Sequence, residues 1–122
     1  MEMEDGFNFE LYEMIYENCF INRSRYDNGN LQLSLYGLNP ETAQTENFVD
    51  ITLNQNERAL RENEIVVDCK SKPTLIPQLK DLGILNTQIG VCNVDNTLYP
   101  IYTANFAKVN ENEYCMQELI AA

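Results

Sequence analysis

The segment Arg25-Tyr26-Asp27-Asn28-Gly29-Asn30-Leu31 constrains the fold more than any other part of the chain. Asn-Gly readily supplies the two positive φ values of a type I′ turn, and alternating text flanks it on both sides. After the turn, Leu31, Leu33 and Leu35 point one way while Gln32, Ser34 and Tyr36 point the other. Before it, Phe20, Asn22, Ser24 and Tyr26 interleave with Cys19, Ile21, Arg23 and Arg25. This pattern predicts a β-hairpin with one face for a core.

The text beyond the hairpin adds strands and one helix. Gly37 to Asn47, with Pro40 and polar residues, reads as a loop. Phe48 to Asn54 alternates, with Val49, Ile51 and Leu53 on one face. In the polar stretch Gln55 to Glu64, Arg58 and Arg61 stand against Glu57, Glu62 and Glu64, and Ile65 to Cys69 is a short strand. Leu75, Ile76, Leu79 and Leu82 recur at helical spacing within Thr74 to Leu82, with Gly83 as the stop. Pro77 is early enough to fit the first turn. Gln88 to Val94 and Thr97 to Ala104 read as strands joined by an Asp95-Asn96 turn, and the tail Asn110 to Ala122 as a weak helix. The opening, Phe7 to Glu17, fits two periods. Leu11, Met14 and Ile15 suit a helix, whereas Phe7, Phe9 and Leu11 suit a strand. Neither a repeat nor a linker divides the 122 residues, so residues 1–122 are read as one domain. The expected class is α+β: a mostly antiparallel sheet of five or six strands with one short helix packed on a face.

Composition narrows the chemistry. Eight Lys and Arg stand against 19 Asp and Glu, a net charge of −11. That balance opposes direct gripping of nucleic-acid phosphates, which takes a basic footprint. With no His, the chain lacks the usual proton shuttle near neutral pH and the commonest metal ligand. Cys19, Cys69, Cys92 and Cys115 form no CxxC pair, so they read as reduced thiols and no zinc site is expected. No carboxylate spacing marks an acid–base pair, the EF-hand pattern is missing, and the glycines are isolated rather than gathered in a phosphate loop. No catalytic, cofactor or metal residue is therefore assigned, and the chain is read as a non-enzyme. Tyr12, Tyr16, Tyr26, Tyr36, Tyr99, Tyr102 and Tyr114 read as sheet tyrosines rather than a stacking platform for bases. An acidic start and the lack of a long apolar run predict a cytoplasmic protein of a bacterial host cell.

Charge is uneven along the chain. Residues 1–22 hold six acids and no base, residues 23–80 nearly balance, and residues 81–122 hold five acids and one base. If the ends meet in space, they make one face of negative potential that attracts a basic partner. The candidate contacts are Glu2, Glu4, Asp5, Glu10, Glu13 and Glu17 from the first end. Asp81, Asp95, Glu111, Glu113 and Glu118 come from the second.

Several stretches also carry a resemblance: Phe9-Glu10-Leu11-Tyr12-Glu13-Met14, Arg25 to Leu33, Asp50-Ile51-Thr52-Leu53-Asn54, Asn63-Glu64 before Val66-Val67-Asp68, and Leu79 with Leu82-Gly83-Ile84-Leu85. Together they resemble an uncharacterised family of small acidic proteins from phages and conjugative elements of Firmicutes, often encoded near antirestriction genes. The resemblance implies that Tyr12-Glu13-Met14 is a turn and that the chain opens with a β-hairpin. It supplies no catalytic residues. Size, acidity and this resemblance lead to the expectation of an anti-CRISPR or other anti-defence inhibitor. It would bind a basic nucleic-acid-processing enzyme, a CRISPR effector nuclease or restriction enzyme, and block its nucleic-acid site. The alternative is a non-enzymatic accessory protein of a mobile element with no defence role.

Overall fold

In a computed structural model the chain is described over residues 7–11, 14–39, 44–70 and 72–111. The strands are β1 (Phe7–Leu11), β2 (Met14–Arg25), β3 (Leu31–Asn39), β4 (Gln44–Asp50), β5 (Thr52–Leu53), β6 (Glu64–Val67), β7 (Leu85–Val94) and β8 (Thr97–Ala104). The helices are α1 (Leu75–Asp81) and α2 (Phe106–Glu111). The class is α+β with antiparallel pairing throughout, as the sequence predicts. The strands divide into two sheets of four, ordered β1-β2-β3-β4 and β5-β6-β8-β7.

Ile51 is where the two sheets meet. Phe48 to Asn54 reads as one strand, but it breaks there and passes from the first sheet to the second. The Ile51 N–H donates to the Leu33 carbonyl (3.0 Å), and the Ile51 carbonyl accepts from the Asp68 N–H (2.9 Å). A strand that changes sheets in this way makes a corner without leaving its peptide groups unpaired. Inside that corner lies one main core. Phe9, Leu11, Ile21, Leu31, Leu33 and Leu35 enter it from the first sheet, and Ile65, Val67, Leu85 and Ala104 from the second. Leu75 and Leu79 of α1 and Val109 of α2 complete it. Val66, between two core residues, faces the other way into a smaller cluster with Cys92 and Ile101. At β6 the second sheet is thus covered on both faces, which is why Ile65-Val66-Val67 is an unbroken apolar run.

The opening resolves to a hairpin, as the resemblance implied: Leu11 pairs with Met14 and Phe9 with Tyr16. Tyr12 and Glu13 lie outside the described residues. In the β2–β3 hairpin the expected leucine face is buried, and Arg25 pairs with Leu31. Its turn is different from the expectation. Gly29 has φ +90°, but Asn28 is not in the left-handed region. The Gly29 N–H donates to the Tyr26 carbonyl (2.8 Å), and the Tyr26 N–H to the Asn30 carbonyl (2.9 Å). This is a three-residue connection closed by a left-handed glycine, not a two-residue type I′ turn. Asn28 explains the change, because its side-chain amide is held by the Gln55 carbonyl (3.1 Å) and Asn56 Oδ1 (2.7 Å). The two-residue turn with both φ positive occurs instead at Asp95-Asn96, between the paired Val94 and Thr97.

The loop expected over Gly37–Asn47 is corrected. β3 runs on to Asn39 and β4 begins at Gln44, paired through Gly37↔Glu46, Leu38↔Thr45 and Asn39↔Gln44. β3 ends at Asn39, and polar residues suit an outer strand with a wet face, so β4 needed no apolar signal. The helix is shorter than Thr74–Leu82 and stops as expected at Gly83, whose φ is +77°. The Ile84 N–H reaches the Leu79 carbonyl (3.0 Å) and the Gly83 N–H the Lys80 carbonyl (2.9 Å). Leu79 and Ile84 are both fully buried, giving the apolar contact that accompanies such a stop. Of the expected tail helix, only Asn110 and Glu111 fall within α2. The remainder lies outside the described residues.

Candidate functional site

α1 packs its leucines into the core, and this sets its polar side along β1. Gln78 Oε1 accepts from the Glu10 N–H (2.7 Å), and Gln78 Nε2 donates to the Glu10 carbonyl (2.5 Å). Thr74, at the helix start, makes no capping bond; its hydroxyl also donates to the Glu10 carbonyl (2.9 Å). One side-chain amide therefore stands where a neighbouring strand's peptide group would stand. The Glu10 carboxylate is left on the surface. Beside it runs a shallow groove of about 300 Å³ lined by Glu10, Thr74, Pro77 and Gln78. A second, of about 250 Å³, is lined by Asn8, Phe9, Glu10, Ile15 and Gln78. Ile15, directly across from Glu10 on β2, is 62% exposed. A carboxylate set beside apolar surface suits a lysine or arginine, whose stem is apolar and whose head is charged.

Asp81 closes α1 and is exposed, one turn beyond Gln78. The fold thus brings Glu10 and Asp81, one from each acidic end, to the same helix. Asp95 is not brought there. It lies exposed in the turn beyond β7, a ten-residue strand about 30 Å long at ~3.3 Å per residue. Glu17 lies on β2 and Glu111 ends α2. Glu2, Glu4, Asp5, Glu13, Glu113 and Glu118 lie outside the described residues, as does Cys115.

The described residues hold all eight basic side chains and twelve of the 19 acids, a net of −4. Two cations cover aromatic rings: Arg23 lies 5.9 Å from the Phe106 ring centre and Lys80 5.4 Å from that of Tyr102. The described tyrosines are dispersed. Tyr16 stacks on Phe48 with centres 5.2 Å apart, and the Tyr26 hydroxyl lies 3.0 Å from Thr52 Oγ1. Burial, aided by the charges of Asp50 and Asp68, raises the Tyr26 hydroxyl above its usual pKa against the opposing Thr52 bond. Cys19, Cys69 and Cys92 are free thiols. Burial pushes Cys19 up to about 11 and also raises Cys92, so neither is an activated nucleophile. Among the described residues, no three His, Cys, Asp or Glu side chains gather as metal ligands, and no helix is long and apolar enough to cross a membrane.

Sequence reasoning missed Gln78 and Thr74. Their only trace is a polar pair four residues apart on a helix, a pattern shared by most solvent faces. The architecture is a two-sheet antiparallel α+β protein with a shallow groove at one sheet edge that carries the Glu10 carboxylate. The chain matches no protein-family model, no curated protein and no solved structure.

Proposed function

We propose that this protein is a non-enzymatic inhibitor that binds a basic nucleic-acid-processing enzyme, a CRISPR effector nuclease or a restriction enzyme, and occupies its nucleic-acid site. The observation that carries this reading is the groove at β1 and α1, where the exposed Glu10 stands beside Ile15 and Pro77 and Asp81 lies one turn along the helix. Seven further acids, with no base among them, belong to residues 1–6, 12–13, 40–43 and 112–122. Net negative charge accelerates encounter with a Lys/Arg groove at low salt, and a carboxylate beside apolar surface offers its side chains a matching seat. The resemblance to small proteins of phages and conjugative elements supports the same reading.

The test is cleavage by the target nuclease, titrated with wild-type protein and with a Glu10→Lys, Asp81→Lys variant. Exposed charges contribute only ~0–1 kcal/mol each to stability, so the variant should remain folded. Inhibition should fall at least ~10-fold, and guide RNA or DNA bound beforehand should compete. Full inhibition by the variant, or no competition, would reject the acidic groove as the contact.

The alternative, an accessory protein with no defence role, draws on a different surface. Val91 and Leu98 are 50% and 56% exposed on the β7–β8 hairpin, well away from Glu10. An accessory protein that assembles through this surface would bind in a salt-insensitive way and inhibit no nuclease.

A further inference from the structure

β7 is the outer strand of the second sheet, and among the described residues no strand pairs with its far side. Its text, Leu85-Asn86-Thr87-Gln88-Ile89-Gly90-Val91-Cys92-Asn93-Val94, contains no charged residue and no proline in a chain that is 22% charged. Those are the two devices that usually keep an edge from pairing. Bulges interrupt it between Leu85 and Gly90, but Gly90 to Val94 pairs regularly with Ile101 to Thr97. Val94 and Thr97 flank the two-residue turn as a hydrogen-bonded pair, so Cys92 and Gly90 also turn their N–H and C=O groups toward β8. Val91 and Asn93 consequently turn theirs outward. Both are exposed.

We propose that a second copy of this chain docks on this edge, antiparallel and two-fold, about the middle of Gly90–Val94. In that register Val91 of each copy lies opposite Asn93 of the other. The outward N–H and C=O groups then meet as hydrogen-bonded pairs. Val91 pairs with Pro100 and Asn93 with Leu98 within each copy, so all four share one face. Two such faces become one apolar strip, which accounts for the exposure of Val91 and Leu98. Charge selects the occupant. A basic segment would find no carboxylate in β7, whereas a second neutral strand places no like charges opposite one another. The pairing also sets Gly90 opposite Val94 of the second copy, with Asp95 next in that chain. The Arg58 guanidinium lies over Gly90, 3.0 Å from where a side-chain carbon there would stand.

The test is sedimentation equilibrium of the full chain from about 5 to 500 µM. The mass should rise from 14.1 kDa toward twice that value. Higher salt should strengthen the dimer, because two chains of −11 repel and salt screens them. Asn93→Pro removes an outward N–H without touching the β8 ladder, and Val91→Lys adds a charge to an exposed face. Each should weaken association at least ~10-fold while thermal melting confirms the fold. Isotope-filtered NOEs between labelled and unlabelled copies should connect position 92 with itself. A monomer at every concentration and salt overturns the proposal, as does a dimer indifferent to both substitutions. NOEs that place the contact at β4, or β7 amides protected only by a foreign extended peptide, overturn it as well.

Discussion

β1 and β7 are both outer strands, yet the chain closes only one of them. At β1 the amide of Gln78 clasps both peptide groups of Glu10, and the surface left over is charged and grooved. At β7 no described strand pairs with the outward peptide groups of Val91 and Asn93, the Asn93 carbonyl meeting only the Cys92 thiol (3.8 Å), and the surface left over is neutral and apolar. The difference follows from where α1 lies. Leu75 and Leu79 must reach the core, so the helix runs past β1 and lends it a side chain. The outer edge of β7 receives no such helix among the described residues. A closed edge that carries a carboxylate and an open, neutral one should suit different partners, with salt weakening association at the first and not at the second.

The largest effect on this contrast should come from Leu79→Ala. Leu79 is fully buried and fixes α1 against the sheet, so its truncation should cost about 2–5 kcal/mol and release the clasp on β1. Chemical denaturation would measure the loss, and an unchanged midpoint would mean that α1 is not what holds this edge.

Cys19 sharpens the comparison from inside the first sheet. Its thiol is buried beside the Tyr16 carbonyl (3.3 Å), and burial raises its pKa from 9.0 to about 11. The folded protein thus favours the protonated form more than the unfolded chain does. The associated stability is fully present below pH ~9 and is lost as pH rises through ~11, at about 1.4 kcal/mol per unit. The unfolding free energy of wild type, less that of Cys19→Ala, should fall by this slope between pH ~9 and ~11 in chemical denaturation; a constant difference would show the thiol to be solvated.

Gly29→Val comes next. Nothing lies within 4 Å of the position a side-chain carbon would take, so any cost is strain at φ +90° rather than a clash. We expect about 1–3 kcal/mol, read from the thermal midpoint. The smallest effect tests the clasp itself. Gln78→Ala should cost about 0.5–1.5 kcal/mol. In hydrogen exchange on dilute protein, the Glu10 amide should become as fast as those of Val91 and Asn93. If Glu10 already exchanges at their rate in wild type, the two edges do not differ.

Much of the fold was legible because it is written in local pattern. The Leu31-Leu33-Leu35 face, the β8 boundaries at Thr97 and Ala104, and the Gly83 stop each follow from residues near one another in sequence. The departures all have long-range causes. Asn28 leaves the expected turn because Gln55 and Asn56 bind its amide, 27 and 28 residues away. β4 forms from polar text because β3 pairs with it, and the break at Ile51 exists only because two sheets must meet there. The candidate site was half legible. Glu10 and Asp81 stood out as acids, but nothing local shows that β1 carries Glu10 to the helix that ends at Asp81, since the bond between Gln78 and Glu10 spans 68 residues. Asp95 was grouped with them by sequence position alone, and the length of β7 separates it.

The account rests on charge at the closed edge, and ionic strength tests that most directly. Nuclease cleavage should be titrated with wild-type protein between about 50 and 500 mM salt, across which the screening length falls from roughly 14 to 4 Å. We predict that the concentration needed for half inhibition rises at least ~10-fold over this range, with most of the change in the association rate. Inhibition that stays constant across the series, or its absence at the lowest salt, would contradict the account.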